Sequence, residues 1–122
     1  MRTRADPLTS LRDRIRAFAD ARQWEQFHTP KNLAMALAVE AAELMEHFQW
    51  LTPEQSRALG RRDKRRVAEE IADVLIYLVR LADVLGVDPL AAACAKLRAN
   101  ARKYPVSRSK GSAAKYSRRD PL

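Results

Sequence analysis

Apolar residues recur along this chain with a helical period, and four long segments carry that pattern. The predicted helices run from Thr9 or Ser10 to about Gln23, from Pro30 to about Trp50, from about Asp63 to Leu85, and from Pro89 to about Lys103. A cap residue precedes a proline at Thr29 and again at Asp88, and Gly86 follows the third segment. A short turn or helix from Thr52, ended by Gly60, joins the second and third helices. Short connections between long helices predict an all-α, antiparallel four-helix bundle.

The two central helices carry acids within their apolar stripes when each is wound at about 100° per residue. The predicted core stripes are Leu33, Leu37, Leu44, Phe48 and Leu51 on the second helix, and Val67, Ile71, Val74, Leu78, Leu81 and Leu85 on the third. Glu40 falls in the first stripe, with Glu43 at its edge. Glu70 and Asp73 border the second stripe, with Tyr77 on the same side. Two acid pairs at i, i+3 spacing therefore face the predicted interior, whereas Glu46 and Glu69 point outward.

Buried carboxylates are costly unless they are paired with cations or bind a metal. Ligation by oxygen atoms alone suits Mg²⁺, with Mn²⁺ as a possible substitute. Two other interpretations remain: ion pairs with Lys or Arg of a neighbouring helix, or a solvated rim. A di-iron bundle is disfavoured because it needs Glu-x-x-His on two helices. His47 follows Glu43 by four positions, and the third helix has no histidine.

Composition excludes several classes of protein. The 122 residues are 47% hydrophobic and 31% charged, which is typical of one globular domain rather than of a disordered chain. No apolar run approaches the roughly 18–20 residues that span a bilayer, and the N-terminus lacks a signal-peptide core. The single cysteine, Cys94, excludes an intrachain disulfide framework. These features predict a cytoplasmic protein that does not associate with membranes.

The net charge of +8 is concentrated at the C-terminal end. Residues 1–100 hold 16 basic against 14 acidic residues, whereas residues 101–122 hold seven basic residues against Asp120 alone. The expected organisation is a flexible N-terminus (1–8), a helical domain (9–104) and a basic C-terminal tail (105–122). A basic tail attracts polyanions of any size. The alternative function is therefore a basic helical nucleic-acid-binding module, which would leave the inward acids unexplained.

Several segments resemble a known family. Glu40-Ala-Ala-Glu43 followed by Glu70-Ile-Ala-Asp73 resembles the metal motif of the MazG-like all-α nucleoside triphosphate pyrophosphohydrolases. The ordered segments WEQFHTPKNLAMAL, EAAELMEHFQW, EEIADVLIYLVRLA, GVD and KYPVSRSKGSAAKY are similar to the dCTP pyrophosphatase branch. This similarity covers roughly residues 10–117, and an ordered set of segments is far more specific than one Glu-x-x-Glu.

The resemblance implies Mg²⁺-dependent hydrolysis of nucleoside triphosphates, chiefly dCTP or a modified dCTP, to the monophosphate and pyrophosphate. It also implies a homotetramer and no stable nucleic-acid complex. The implied catalytic metal ligands are Glu40, Glu43, Glu70 and Asp73. The implied substrate-binding residues are Trp24 and Trp50 for the base, and Tyr77, Lys96 and Asn100 for the sugar and phosphates. By their charge, Arg102 and Lys103 are further candidates, which would hold outer phosphate oxygens.

Three further residues bear on the substrate pocket. Ile15 stands where members of this branch can carry a histidine on the substrate side. Bulky tryptophans at helix ends often cap a core, which is the alternative role for Trp24 and Trp50. His28, two residues before Pro30, is expected to be structural rather than catalytic.

Overall fold

The computed structural model describes residues 6–115, and every regular element within them is a helix. The helices are α1 (Pro7–Ala21), α2 (Pro30–Glu46), α3 (Pro53–Arg57), α4 (Arg61–Leu85), α5 (Pro89–Lys103) and α6 (Val106–Ser109). The all-α prediction is confirmed for this part of the chain. None of these helices is long and apolar enough to cross a membrane. The ends of the predicted N-terminal and C-terminal segments, residues 1–5 and 116–122, lie outside the described residues.

Local cap chemistry sets most helix ends. The Thr29 hydroxyl accepts a hydrogen bond from the Asn32 N–H at the start of α2, and the Asp88 carboxylate accepts one from the Ala91 N–H at the start of α5. Gly86 ends α4 with φ of 69°, a left-handed conformation that glycine adopts without a Cβ clash. These three boundaries were predicted from sequence and are confirmed.

Three predicted boundaries were wrong. α1 begins at Pro7 because Asp6, followed by proline, accepts a hydrogen bond from the Thr9 N–H and so caps the helix three or four residues before the predicted caps, Thr9 or Ser10. α2 ends at Glu46, and residues 47–50 form turns instead of a last helical turn. Gly60 is the N-cap of α4 and does not end the preceding element, which stops at Arg57.

The chain divides into two compact units, residues 6–87 and 88–115 of the described part. In the first unit α4 packs most extensively against α2 and also against α1. The second unit contains α5 and the short α6, which occupies Val106–Ser109 in a segment expected to be irregular. The four-helix arrangement therefore stays a prediction, since α1, α2 and α4 form one unit and α5 belongs to the other.

The core of the first unit differs from the predicted stripes. Its buried apolar residues are Ala19, Leu33, Val67, Val79 and Ala82. On α4 the stripe residues Ile71, Leu78 and Leu85 are 52%, 44% and 55% exposed, which contradicts the prediction. The physical reason is that α4 packs against two helices, α2 and α1, so its buried residues are distributed around the helix and do not follow one stripe. Arg80, 5% exposed, is the one buried charged residue within residues 6–115.

Candidate functional site

Three glutamates of α2 and α4 converge. Glu40 and Glu43 lie one turn apart on α2, and Glu70 faces them from α4, so that one carboxylate oxygen of each lies within 4.8 Å of the others. Glu40 and Glu70 are half-buried and Glu43 is exposed. The close packing of α2 against α4 brings these residues together across the sequence.

The cluster holds carboxylate oxygens without hydrogen-bond partners. Glu40 Oε2 and Glu70 Oε2 are buried from solvent, and neither accepts a hydrogen bond within the described residues. Burial raises the pKa of Glu40 to about 7, assisted by a hydrogen bond with Glu43 and by the charges of Glu43, Asp73 and Glu70. Buried acceptors with no donor are uncommon in folded proteins and call for an explanation.

Protein cations do not neutralise the cluster. Within residues 6–87 no Lys or Arg forms an ion pair with Glu40, Glu43 or Glu70. His47, the C-cap residue of α2, places Nε2 at 3.9 Å from Glu70 Oε1, which is too long for a hydrogen bond. The ion-pair interpretation of these acids therefore fails in this unit. Carboxylate oxygens at this spacing are suitable ligands for a hard divalent cation such as Mg²⁺, and two of them are buried without a hydrogen-bond partner.

Asp73 lies apart from the three converging glutamates. Its carboxylate is not within the 4.8 Å group, although its charge contributes to the raised pKa of Glu40. The Asp73 side chain is exposed and lines a cavity between α1 and α4. The structure thus brings together three of the four predicted ligands and places the fourth beside them, at the wall of this cavity.

The cavity beside Asp73 has a volume of about 180 Å³ and aromatic walls. Phe18, Trp24, His28 and Tyr77 line it. The Trp24 ring meets Phe18 edge to face, with centroids 5.7 Å apart, and meets His28 in the same manner at 5.9 Å. Trp24 and Tyr77, both predicted substrate-binding residues, therefore line one recess near Asp73. Ile15, where the resemblance implied a histidine, also lines it.

Trp50 is not part of this cavity. It lies in the turns that follow α2, and its side chain is 86% exposed. That exposure excludes a role in the core of this chain, which was the alternative to base binding for Trp50. Trp24 is 41% exposed and keeps both a packing contact and an open face.

The other predicted substrate-binding residues lie on α5, in the second unit. Lys96, Arg102 and Lys103 are exposed, and Asn100 is half-buried. Lys96 and Asn100 are separated by one helical turn and so share a face of α5, as predicted.

Sequence reasoning overlooked a polar network around Arg80. Arg80 Nε donates to His28 Nδ1 at 3.0 Å, and Arg80 Nη1 lies 3.4 Å from Asp83 Oδ2. Asp83 also accepts two hydrogen bonds from the Arg16 guanidinium of α1, which lower its pKa. From the sequence, Arg80 would be interpreted as a surface charge at the edge of the apolar face of its helix. The one sequence signal for this network is Asp83, an acid three positions after Arg80.

The described part of the chain is all-helical and carries, between two packed helices, a cluster of carboxylates that could hold a metal ion. The MazG-like family model matches residues 35–118, and the chain belongs to this family. The resemblance inferred from the sequence motifs is confirmed.

Known relatives include two mammalian enzymes and one archaeal structure. The chain is 47% identical to dCTP pyrophosphatase 1 of Bos taurus over 82% of its length, and 45% identical to that of Mus musculus over 93%. It spans 60% of the bovine and 70% of the mouse protein. A crystal structure of a pyrophosphatase from Archaeoglobus fulgidus has a TM-score of 0.80 and 43% identity, covering 86% of this chain and 98% of the archaeal one.

The raised pKa of Glu40 predicts how stability depends on pH without divalent metal. The pKa of Glu40 in the folded chain, about 7, lies above the ordinary value of 4.5. Protonation of Glu40 therefore contributes its full stabilisation of the folded state below pH 4.5, and this stabilisation is lost as pH rises through 7. Glu40→Gln mimics the protonated side chain. In EDTA its melting temperature should match that of the parent near pH 4.5 and exceed it at pH 8.

Glu46→Gln is the matched control, because Glu46 is an exposed glutamate of the same helix. It should follow the parent at both pH values when unfolding is monitored by circular dichroism. A Glu40→Gln protein that melts below the parent at pH 8 would show that this carboxylate is stabilised by a protein cation.

Proposed function

We propose that this chain is a Mg²⁺-dependent pyrophosphohydrolase that converts dCTP, or a modified dCTP, to the monophosphate and pyrophosphate. The observation that carries the proposal is the glutamate cluster, in which two buried oxygens lack any donor. The mammalian relatives are dCTP pyrophosphatases, which supports this substrate class. A basic nucleic-acid-binding module needs no such cluster. Nucleotide-pool sanitation is the role that such an activity would serve.

Glu40, Glu43 and Glu70 would hold the metal, with Asp73 completing the set from the cavity wall. A bound Mg²⁺ would offset the negative charge of the triphosphate and polarise its phosphoryl oxygens. The carboxylates themselves have two tasks. They would hold the metal, and one of them would accept the proton of the attacking water.

The base would lie against the aromatic side chains. Trp24 lines the cavity and is 41% exposed, and Trp50 lies outside it and is 86% exposed. Tyr77 lines the cavity one helical turn after Asp73 on α4 and suits a contact with the sugar. The sugar and phosphates would be contacted by four residues of α5: Lys96, Asn100, Arg102 and Lys103. Contacts with the sugar and phosphates do not discriminate among bases, because these groups are the same in every deoxynucleoside triphosphate.

Exposed apolar side chains support assembly into a homotetramer. Ile71, Leu75 and Leu78 of α4 and Met35 and Val39 of α2 are each at least 40% exposed in the single chain. Burial of such side chains against another copy of the chain would remove apolar surface from water. Sedimentation equilibrium at micromolar concentration should therefore give a multiple of the 13.9 kDa chain mass, and a monomer would contradict the proposal. A free, exposed Cys94 thiol is compatible with work in the reducing cytoplasm.

Removal of one ligand charge should abolish turnover without unfolding the chain. Glu70→Gln keeps the size of the side chain but weakens metal binding, so kcat/KM for dCTP with Mg²⁺ should fall by about 100-fold or more. The matched control is Glu69→Gln, the exposed neighbouring glutamate on α4. It should retain activity. The assay must separate pyrophosphate from orthophosphate across a panel of dNTPs, and equal turnover by both variants would contradict the metal site.

The aromatic side chains should control substrate binding rather than the chemical step. Trp24→Ala and Trp50→Ala should each raise KM for dCTP by the equivalent of roughly 1–3 kcal/mol, the value of one base-stacking contact. Phe27→Ala is the control, because Phe27 is an exposed aromatic residue that does not line the cavity. Unchanged KM values for dCTP, dTTP and dATP in a tryptophan variant would show that its ring does not contact the base.

A further inference from the structure

The Arg80 side chain is buried and held at both ends of its guanidinium. It is 5% exposed on α4, with Nη1 directed at Asp83 and Nε at His28. Asp83 is held in turn by the Arg16 guanidinium from α1. A buried arginine is tolerated when its charge is paired. Here Asp83 supplies the opposite charge, and His28 and Asp83 accept hydrogen bonds from Nε and Nη1.

The hydrogen bond from Arg80 determines which nitrogen of His28 carries the proton. A guanidinium has only donors and stays protonated in proteins, so His28 Nδ1, at 3.0 Å from Arg80 Nε, must be the acceptor. The proton of the neutral imidazole therefore resides on Nε2. Burial and the charge of Arg80 lower the pKa of His28, whereas Glu25 opposes that effect, so the neutral imidazole is favoured at physiological pH.

The Nε2–H of His28 is then a donor that no residue in the described part of the chain uses. No group within residues 6–115 accepts a hydrogen bond from it, and His28 lines the aromatic cavity together with Trp24 and Tyr77. At about 180 Å³ the cavity is below the roughly 300–1,000 Å³ of a drug-sized pocket, so it suits one ring system rather than a whole nucleotide. Aromatic walls with one fixed donor suit a planar base that presents an acceptor.

We propose that Arg80 is a positioning residue that holds His28 in a single tautomer, with Nε2–H as a donor that reads an acceptor atom of the base. This inference rests on the proposed function for the identity of the ligand. Cytosine presents an unprotonated ring nitrogen, N3, where thymine carries N3–H. A donor fixed at that edge therefore favours deoxycytidine nucleotides over thymidine nucleotides.

The tautomer is tested in the ligand-free full chain by long-range ¹H–¹⁵N NMR of the histidine rings. The chain has two histidines, and His28→Gln identifies the His28 signals by their loss. The parent should show an unprotonated Nδ1 and a protonated Nε2. Arg80→Met should give a mixture of tautomers, and Arg80→Lys, which keeps a cationic donor, should restore the parent pattern. A protonated Nδ1 in the parent, or an unchanged pattern in Arg80→Met, would overturn the proposal.

The kinetic arm separates positioning from a general structural role. Arg80→Met should raise KM for dCTP about tenfold, the value of one hydrogen bond of about 1.4 kcal/mol, with kcat changed much less. The preference for dCTP over dTTP should fall by a similar factor. The double variant with His28→Gln should be no worse than His28→Gln alone, since both changes remove one interaction. Additive losses, or a loss confined to kcat, would contradict positioning.

A binding measurement distinguishes failure of this inference from failure of the proposed function. Deoxycytidine, which carries no phosphate, is titrated into the parent while the His28 Nε2 signal is followed, with thymidine as the matched comparison. Deoxycytidine should shift the signal more strongly, whether or not the chain hydrolyses triphosphates. Equal shifts, or none, would refute base reading by His28 even if dCTP is hydrolysed.

Discussion

The structure depends on one electrostatic constraint, the close approach of three glutamates between α2 and α4. Glu40, Glu43 and Glu70 repel one another, and burial raises the pKa of Glu40 to about 7. A fold selected only for stability would place apolar residues or counter-ions at these positions. The tight packing of α2 against α4 instead keeps the carboxylates together with two oxygens unpartnered. The packed helices therefore hold a cluster of carboxylates that could bind a hard cation.

α4 carries two polar systems of opposite character along its 25 residues. Facing α2, Glu70 belongs to a cluster that forms no ion pair with a lysine or arginine of residues 6–87. Facing α1, Arg80 and Asp83 belong to a network in which charges are paired with each other and with Arg16. The paired network ties α1 to α4 and stabilises the aromatic cavity, whereas the unpaired cluster is left for a ligand. Asp73 lies on the same helix between the two and lines the cavity, so the glutamate cluster and the aromatic cavity are neighbours in the first unit.

Much of the local structure could be predicted from sequence because helix ends are decided within about four residues. Asp88 before Pro89, and Gly86 after the last turn of α4, define their boundaries through backbone hydrogen bonds and a left-handed φ. The start of α1 was missed because more than one residue there can cap a helix. Asp6, which precedes a proline, accepts the hydrogen bond from the Thr9 N–H and is the cap, in place of Thr9 itself. The helical spacing of the acid pairs likewise follows from periodicity alone.

Tertiary packing decided which of these side chains meet. The rotation of α4 against two neighbours exposed Ile71 and Leu78, buried Arg80, and left Asp73 outside the group formed by the other three acids. The contact from Arg80 to His28 joins residues 52 positions apart, and no local pattern encodes it. The sequence by itself thus determined the helices, the candidate ligands and the family. Only the tertiary structure determined which ligands converge and which histidine nitrogen is free, because both depend on the relative orientation of helices.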